Sequence, residues 1–143
     1  YATLHRFDDS EKAYKEALDV YNDLSSTNPL LYEKHVAMVL NNLANLHNRY
    51  NLPDIAEKEY KKALEIYRKL SKDDSQFLSG AAMTLHNLAA LYDTLKKYQE
   101  AEEKYAEALN IYRQLSKDNP YAYMHDLATC LNGIAINHKS TSF

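Results

Sequence analysis

Catalysis and metal binding need reactive side chains that converge, so the residues to weigh first are the six histidines and the single cysteine of this 143-residue chain. A helical zinc pair places two histidines four residues apart on one face, and no two of these six stand in that relation. His47 and His138 are expected to be packed or rim histidines, and His86 to be a plain hydrogen-bonding group. Cys130, next to Leu131, is expected to be a small buried hydrophobe. A lone cysteine also excludes an internal disulfide and a cysteine-based zinc site. There is no glycine-rich phosphate loop and no nucleophile elbow, so nothing presents a nucleophile, a base and oxyanion donors together. The expectation is a protein without catalytic residues, metal or cofactor. What remains is hydrogen-bonding chemistry, concentrated in Asn41, Asn42, Asn45 and Asn48 with Arg49 and Met38, and again in His86 and Asn87 with Met83. A carboxamide offers two donors and an acceptor, the pattern an extended peptide backbone presents.

Whatever positions these side chains is helical. Two glycines and three prolines fall far below the roughly 12% of an average chain, too few to turn the corners of a sandwich or barrel. Apolar residues at 45% and charged residues at 26% are the balance of a globular chain, not a disordered one. The net charge of −3 provides no basic excess to neutralise a phosphate backbone, so nucleic acid is not an expected partner. No apolar run approaches the ~20 residues that span a bilayer, so no membrane is expected as a partner. With no visible signal segment, the cytoplasm is the expected compartment. Thirteen tyrosines and no tryptophan are the compositional outlier.

The chain repeats itself. Ala13-Tyr14-Lys15-Glu16-Ala17-Leu18-Asp19-Val20-Tyr21 returns as Glu59-Tyr60-Lys61-Lys62-Ala63-Leu64-Glu65-Ile66-Tyr67 and as Lys104-Tyr105-Ala106-Glu107-Ala108-Leu109-Asn110-Ile111-Tyr112, at offsets of 46 and 45 residues. A second block, Leu40 to His47, returns as Leu85 to Tyr92 and, loosely, as Leu131 to His138, at offsets of 45 and 46. Two blocks sharing one period define a two-element unit. Tyr60, Ala63, Leu64, Tyr67 and Leu70, like Leu40, Leu43, Ala44 and His47, fall at helical spacing. Helices are predicted near residues 9–25, 30–50, 53–71, 76–96, 98–116 and 121–138, with residues 1–6 the tail of an earlier helix. Asn28-Pro29 and Asn119-Pro120 read as N-caps followed by a first-turn proline, Pro53 as a helix start, and Asp8 with Glu11 as a capping box. Tyr1, Thr3, Leu4 and Phe7 match Tyr92, Thr94, Leu95 and Tyr98, so the chain is expected to open in mid-repeat, as a fragment of a longer array. The clusters Glu57-Lys58-Glu59 and Glu102-Glu103-Lys104 read as solvated outer faces.

At these residues the chain resembles the tetratricopeptide repeat. That family sets a large apolar residue, Leu, a small residue, Tyr, Ala, an aromatic and Ala at fixed steps across a helix pair. Leu40, Leu43, Ala44, His47, Ala56, Tyr60 and Ala63 fill those steps here, and Leu85, Leu88, Ala89, Tyr92, Ala101, Tyr105 and Ala108 fill them again. The period exceeds the family's usual 34, and Arg68 and Arg113 stand where its closing proline is common. Long units with a Leu-Asn-Asn-Leu-Ala block resemble the kinesin light chain type. The resemblance implies an all-α fold, a right-handed superhelical solenoid of stacked antiparallel helix pairs. It is expected to form one domain over residues 1–143, with repeats near 1–25 (partial), 30–71, 76–116 and 121–139 (partial).

The resemblance also implies that the first helix of each pair lines a concave face. With Leu40, Leu43, Ala44 and His47 turned to the core, that face carries Met38, Asn41, Asn42, Asn45, Asn48 and Arg49, then Met83, His86 and Asn87, and Asn132 in the last helix. The expected function is a non-catalytic scaffold binding an extended peptide or protein segment there, with the methionines as adaptable apolar contacts. Two other readings remain open. One is a structural module that self-associates weakly through its solenoid ends. The other is an accessory module of a larger multidomain signalling protein.

Overall fold

The computed structural model describes residues 2–141, with side chains from Arg6 onward. The described residues form six α-helices: α1 (Ala2–Thr27), α2 (Pro29–Arg49), α3 (Pro53–Ser71), α4 (Leu78–Thr94), α5 (Tyr98–Asp118) and α6 (Pro120–Thr141). A 3-10 turn at Ser75–Phe77 precedes α4, and no strand occurs among the described residues. Helices consecutive in the chain pack as neighbours within two compact units. One unit holds α1 to α3 and ends at Asp73, the other begins at Asp74 and holds α4 to α6. Connections of one to three residues inside each unit reverse the chain, so packed neighbours run antiparallel.

Each turn has a local cause. Asn28 and Asn119 adopt nearly the same non-helical backbone, φ −143° ψ 77° and φ −146° ψ 78°. A proline follows each, and its ring bars the preceding residue from helical geometry. The expected side-chain caps do not form at Asn28; the proline does the work there. Inside each helix pair the chain turns through a left-handed residue, Asn51 at φ 63° or Lys96 at φ 62°. Leu52 N–H then donates to His47 C=O, and Lys97 N–H to Tyr92 C=O, at 2.8 Å each. That long-reach bond closes a helix C-terminus after a left-handed residue.

Two expectations at the start of the chain are corrected. Helix α1 runs unbroken through residues 6–9, where a boundary was expected. Asp8 and Glu11 therefore sit inside a helix and form no capping box; the Glu11 side chain is committed elsewhere, as described below. Tyr1 and the side chains of Thr3 and Leu4 lie outside the described residues.

Alanine sets the spacing of the packed faces. Ala37, Ala44, Ala56 and Ala63 in the first unit, and Ala82, Ala89, Ala101 and Ala108 in the second, are fully buried. With only a methyl group at each contact, neighbouring helices approach closely and leave shaped gaps that Tyr60, Tyr67, Tyr105 and Tyr112 fill. Burial pushes the Tyr60 and Tyr105 hydroxyls up to about 12 and raises those of Tyr67 and Tyr112. These phenols stay neutral donors under all ordinary conditions. Cys130 is fully buried, its Sγ 3.7 Å from the Tyr105 carbonyl, with its thiol pushed up to about 11 by burial.

Candidate functional site

In the first unit α1 and α2 bound a cleft of 210 Å³ lined by Ser10, Tyr14, Asn42, Asn45, Leu46 and Arg49. Three of the sequence-predicted contacts, Asn42, Asn45 and Arg49, thus meet around one space. Helical spacing explains why: residues 42, 45 and 49 fall at i, i+3 and i+7 on one stripe of α2. Opposite them, Ser10 and Tyr14 stand one turn apart on α1. The Tyr60 hydroxyl, reaching over from α3, donates to Asn45 Oδ1. That bond fixes the orientation of the carboxamide and leaves its two N–H donors for the cleft. Arg49 is exposed and supplies the positive charge in the lining.

The remaining predicted residues of α2 are placed differently from one another. Met38 is 43% exposed and Asn48 half-buried. Asn41 is 2% exposed, and its Oδ1 has no hydrogen-bond partner. It belongs to the interior and not to the cleft lining; its position one residue beyond Leu40 turns it toward the packed side of α2. In the second unit Met83 is 40% exposed, and His86 and Asn87 are half-buried on α4. His86 stands at the repeat position of Asn41 and likewise carries an unpartnered buried atom, Nδ1. Burial lowers the imidazole's pKa against a smaller opposing pull from Asp126, and the ring packs edge-on to Tyr105 with centroids 5.5 Å apart. Asn132 on α6 is exposed.

Sequence reasoning missed two polar junctions. His47 is 2% exposed, as expected of a packed residue, but both its ring nitrogens are engaged. Nδ1 lies 2.6 Å from Glu59 Oε1 on α3, and Nε2 lies 2.6 Å from Glu11 Oε2 on α1. Glu59 therefore does not belong to a solvated outer face, unlike the exposed Glu102 and Glu103. The usable signal was histidine at a tyrosine step, which replaces one hydroxyl by two hydrogen-bonding nitrogens and calls for a second partner. In the second unit Asn137, 1% exposed, donates from Nδ2 to Asp93 Oδ1 at 2.8 Å and to the Tyr98 carbonyl at 3.1 Å. It ties α6 to the turn between α4 and α5.

A second cleft in the first unit, of 310 Å³, is lined by Leu18, Asn22, Val36, Leu40, Lys62, Glu65 and Ile66. It lies between α1 and α3, with α2 as its floor. None of its residues is a sequence-predicted contact: Leu18, Val36, Leu40 and Ile66 read as core at helical spacing, and Asn22, Lys62 and Glu65 as solvated polar residues.

Among the described residues no helix is long and apolar enough to cross a membrane. Comparison with curated proteins returns no match. Among solved structures, the crystal structure of BtubC (BKLC) from P. vanneervenii is similar at 16% sequence identity and a TM-score of 0.35, over 94% of this chain and 71% of that one. The family model of the tetratricopeptide repeat matches residues 35–114, from α2 through most of α5. Helix pairs built on a small-residue and tyrosine code, together with that match across more than half of the sequence, establish that the chain belongs to the tetratricopeptide repeat family, whose repeats are protein–protein interaction modules.

Proposed function

We propose that the first unit captures an extended segment of a partner protein in the cleft between α1 and α2. The observation that carries this reading is the meeting of Asn42, Asn45 and Arg49 with Ser10 and Tyr14 around one polar space. The Asn45 N–H donors suit a peptide carbonyl, and Asn42 offers both a donor and an acceptor. Arg49 favours an acidic side chain beside the bonded stretch, and Met38 one helical turn before Asn42 offers an adaptable apolar contact. Each neutral hydrogen bond contributes about 0.5–1.5 kcal/mol net, so affinity comes from several in register. Contacts to backbone make the capture tolerant of sequence. The chemistry is recognition, in keeping with a family that is generally a non-catalytic interaction repeat.

The test begins with peptides selected from a displayed random library against the whole chain, followed by calorimetric titration of the best. Asn42→Leu is expected to weaken binding by about tenfold, the equivalent of 1.4 kcal/mol, and Arg49→Glu to disfavour acidic peptides specifically. Helicity by circular dichroism should not change, since neither side chain belongs to the core. Selected peptides that bind both variants as tightly as the unsubstituted chain would place the recognition surface elsewhere.

A further inference from the structure

The polar junction at His47 shares its helices and its sequence neighbours with the cleft between α1 and α2. Glu11, whose carboxylate lies 2.6 Å from His47 Nε2, has Ser10 before it and Tyr14 one turn after it on α1, and both line the cleft. Leu46, next to His47 on α2, lines it as well. On α3, Glu59 lies 2.6 Å from His47 Nδ1, and the adjacent Tyr60 donates to Asn45 Oδ1 in the cleft lining. The α1 wall of the cleft is thus tied through Glu11 to a ring that α3 holds from the other side.

That tie depends on protons. An imidazole nitrogen this close to a carboxylate oxygen needs a proton between them, and the trio makes two such contacts. With two protons both contacts hold. With one, a nitrogen lone pair faces a carboxylate, and that contact must open. The surroundings decide which. Glu59 is the more buried of the two carboxyls, and opening there would leave a charge unpaired in the interior. Glu11 has the Lys15 ammonium 3.6 Å from its other oxygen, so it can turn to that cation and to water. The charged groups acting on the trio from the packed helices are Glu11 and Lys15 on α1 and Glu59 on α3. The Tyr60 hydroxyl beside Glu59 stays neutral. Burial pushes Glu59 above the usual carboxylate range, so the second proton is held in acid and leaves as the pH rises above that range.

The consequence for α1 follows from how its ends are held. One end is anchored by the single-residue turn at Asn28, roughly 25 Å along the helix from Glu11. Near Glu11 the helix is also held by the Phe7 ring, 4.7 Å from that of Tyr50 and 6.2 Å from that of His47. Losing the Glu11 bond therefore loosens this end of α1 without detaching it. We infer that the trio is a proton-controlled latch on the α1 wall of the cleft, closed while two protons are held and released at Glu11 when one is lost, with peptide capture weakened on release. The effect on capture rests on the cleft being the peptide site; the latch itself does not.

The first arm of the test uses the whole chain without peptide. Hydrogen exchange, corrected for its intrinsic pH dependence, is expected to show residues 6–14 losing protection relative to α2 from about pH 5 to about pH 8. Glu11→Gln and Glu59→Gln should each keep that protection, because a carboxamide donates to a bare ring nitrogen and accepts from a protonated one. In the second arm, histidine-free peptides selected from the displayed library are titrated over the same range. Capture by the unsubstituted chain is expected to fall about fivefold, and capture by Glu59→Gln to stay level. Protection of residues 6–14 that ignores pH, or falls equally in both glutamine variants, would overturn the latch and leave the cleft reading standing. Loosening of α1 without any change in capture, by peptides that Asn42→Leu weakens, would overturn its control of the cleft. If Asn42→Leu weakened none of the peptides, the cleft reading and the control of capture would fall together, and exchange in residues 6–14 would still decide the latch.

Discussion

His47 holds three helices through two bonds that cannot both form without an extra proton. A neutral imidazole donates from one nitrogen only, whereas both nitrogens here face carboxylate oxygens at 2.6 Å. The trio therefore binds two protons: either the ring carries both, or one carboxyl keeps its own. The two carboxyls are pushed apart. The hydrogen bond from His47 holds Glu11 below the usual carboxylate range, while burial pushes Glu59 above it. The signs follow. Glu11 favours the folded state above the ordinary glutamate range, and that contribution is lost as pH falls through its lowered value. Glu59, with a raised value, contributes below that range and loses its contribution as pH rises through its folded value. Thermal melts across acid to neutral pH should show Glu11→Gln flattening the acid-side fall and Glu59→Gln flattening the decline on the other side. Curves parallel to that of the unsubstituted chain in both variants would remove the trio from the stability of the unit. His47→Leu leaves the half-buried Glu59 without its partner and is expected to cost about 1–3 kcal/mol.

At the scale of the helix, pattern was read well and position less so. Helical spacing and the prolines at 29, 53 and 120 placed α2, α3 and α6 to within a few residues, because a proline's missing N–H and fixed φ act locally. The start of α1 was misread for the opposite reason. Asp8 and Glu11 have capping-box spacing, but the partner that Glu11 serves, His47, is 36 residues away, and a local rule does not register a distant partner. Asn41 was misplaced similarly, since amide identity suggests a wet surface while the register beside Leu40 puts the side chain inside. The turns within the helix pairs were not visible as a shared motif. Asn51 and Lys96 differ in type yet adopt the same left-handed backbone. Asparagine tolerates that region, whereas lysine pays a Cβ clash of about 1 kcal/mol. Replacing Lys96 by Gly removes the clash at a smaller entropic loss. It should raise the melting temperature by about 2–4 °C, while Asn51→Gly should leave it nearly unchanged. Equal shifts in differential scanning calorimetry would show that the two turns carry no different strain.

At the scale of the molecule, the two units share a plan and divide its polar solutions between them. Each builds its core from the same alanine and tyrosine positions, yet the first locks its three helices with a histidine between two glutamates and the second with an asparagine between Asp93 and a backbone carbonyl. Since Leu43 and Leu88 are fully buried, one in each unit, stability should be distributed as in repeat proteins, by intrinsic terms for each part. Leu43→Ala should cost about 3 kcal/mol from lost transfer energy and the cavity left behind. Hydrogen exchange read by mass spectrometry should place that loss in peptides of α1, α2 and α3, with protection in α5 and α6 retained. Leu88→Ala should give the reverse pattern. The exposed segment from Lys72 to Gln76 joins the two and has no Asn-Pro pair to stiffen it, so it should exchange fast in both variants. If either substitution lowered protection evenly from α1 to α6, the molecule would unfold as one cooperative block, and the separate cores would be a description of packing without a counterpart in energetics.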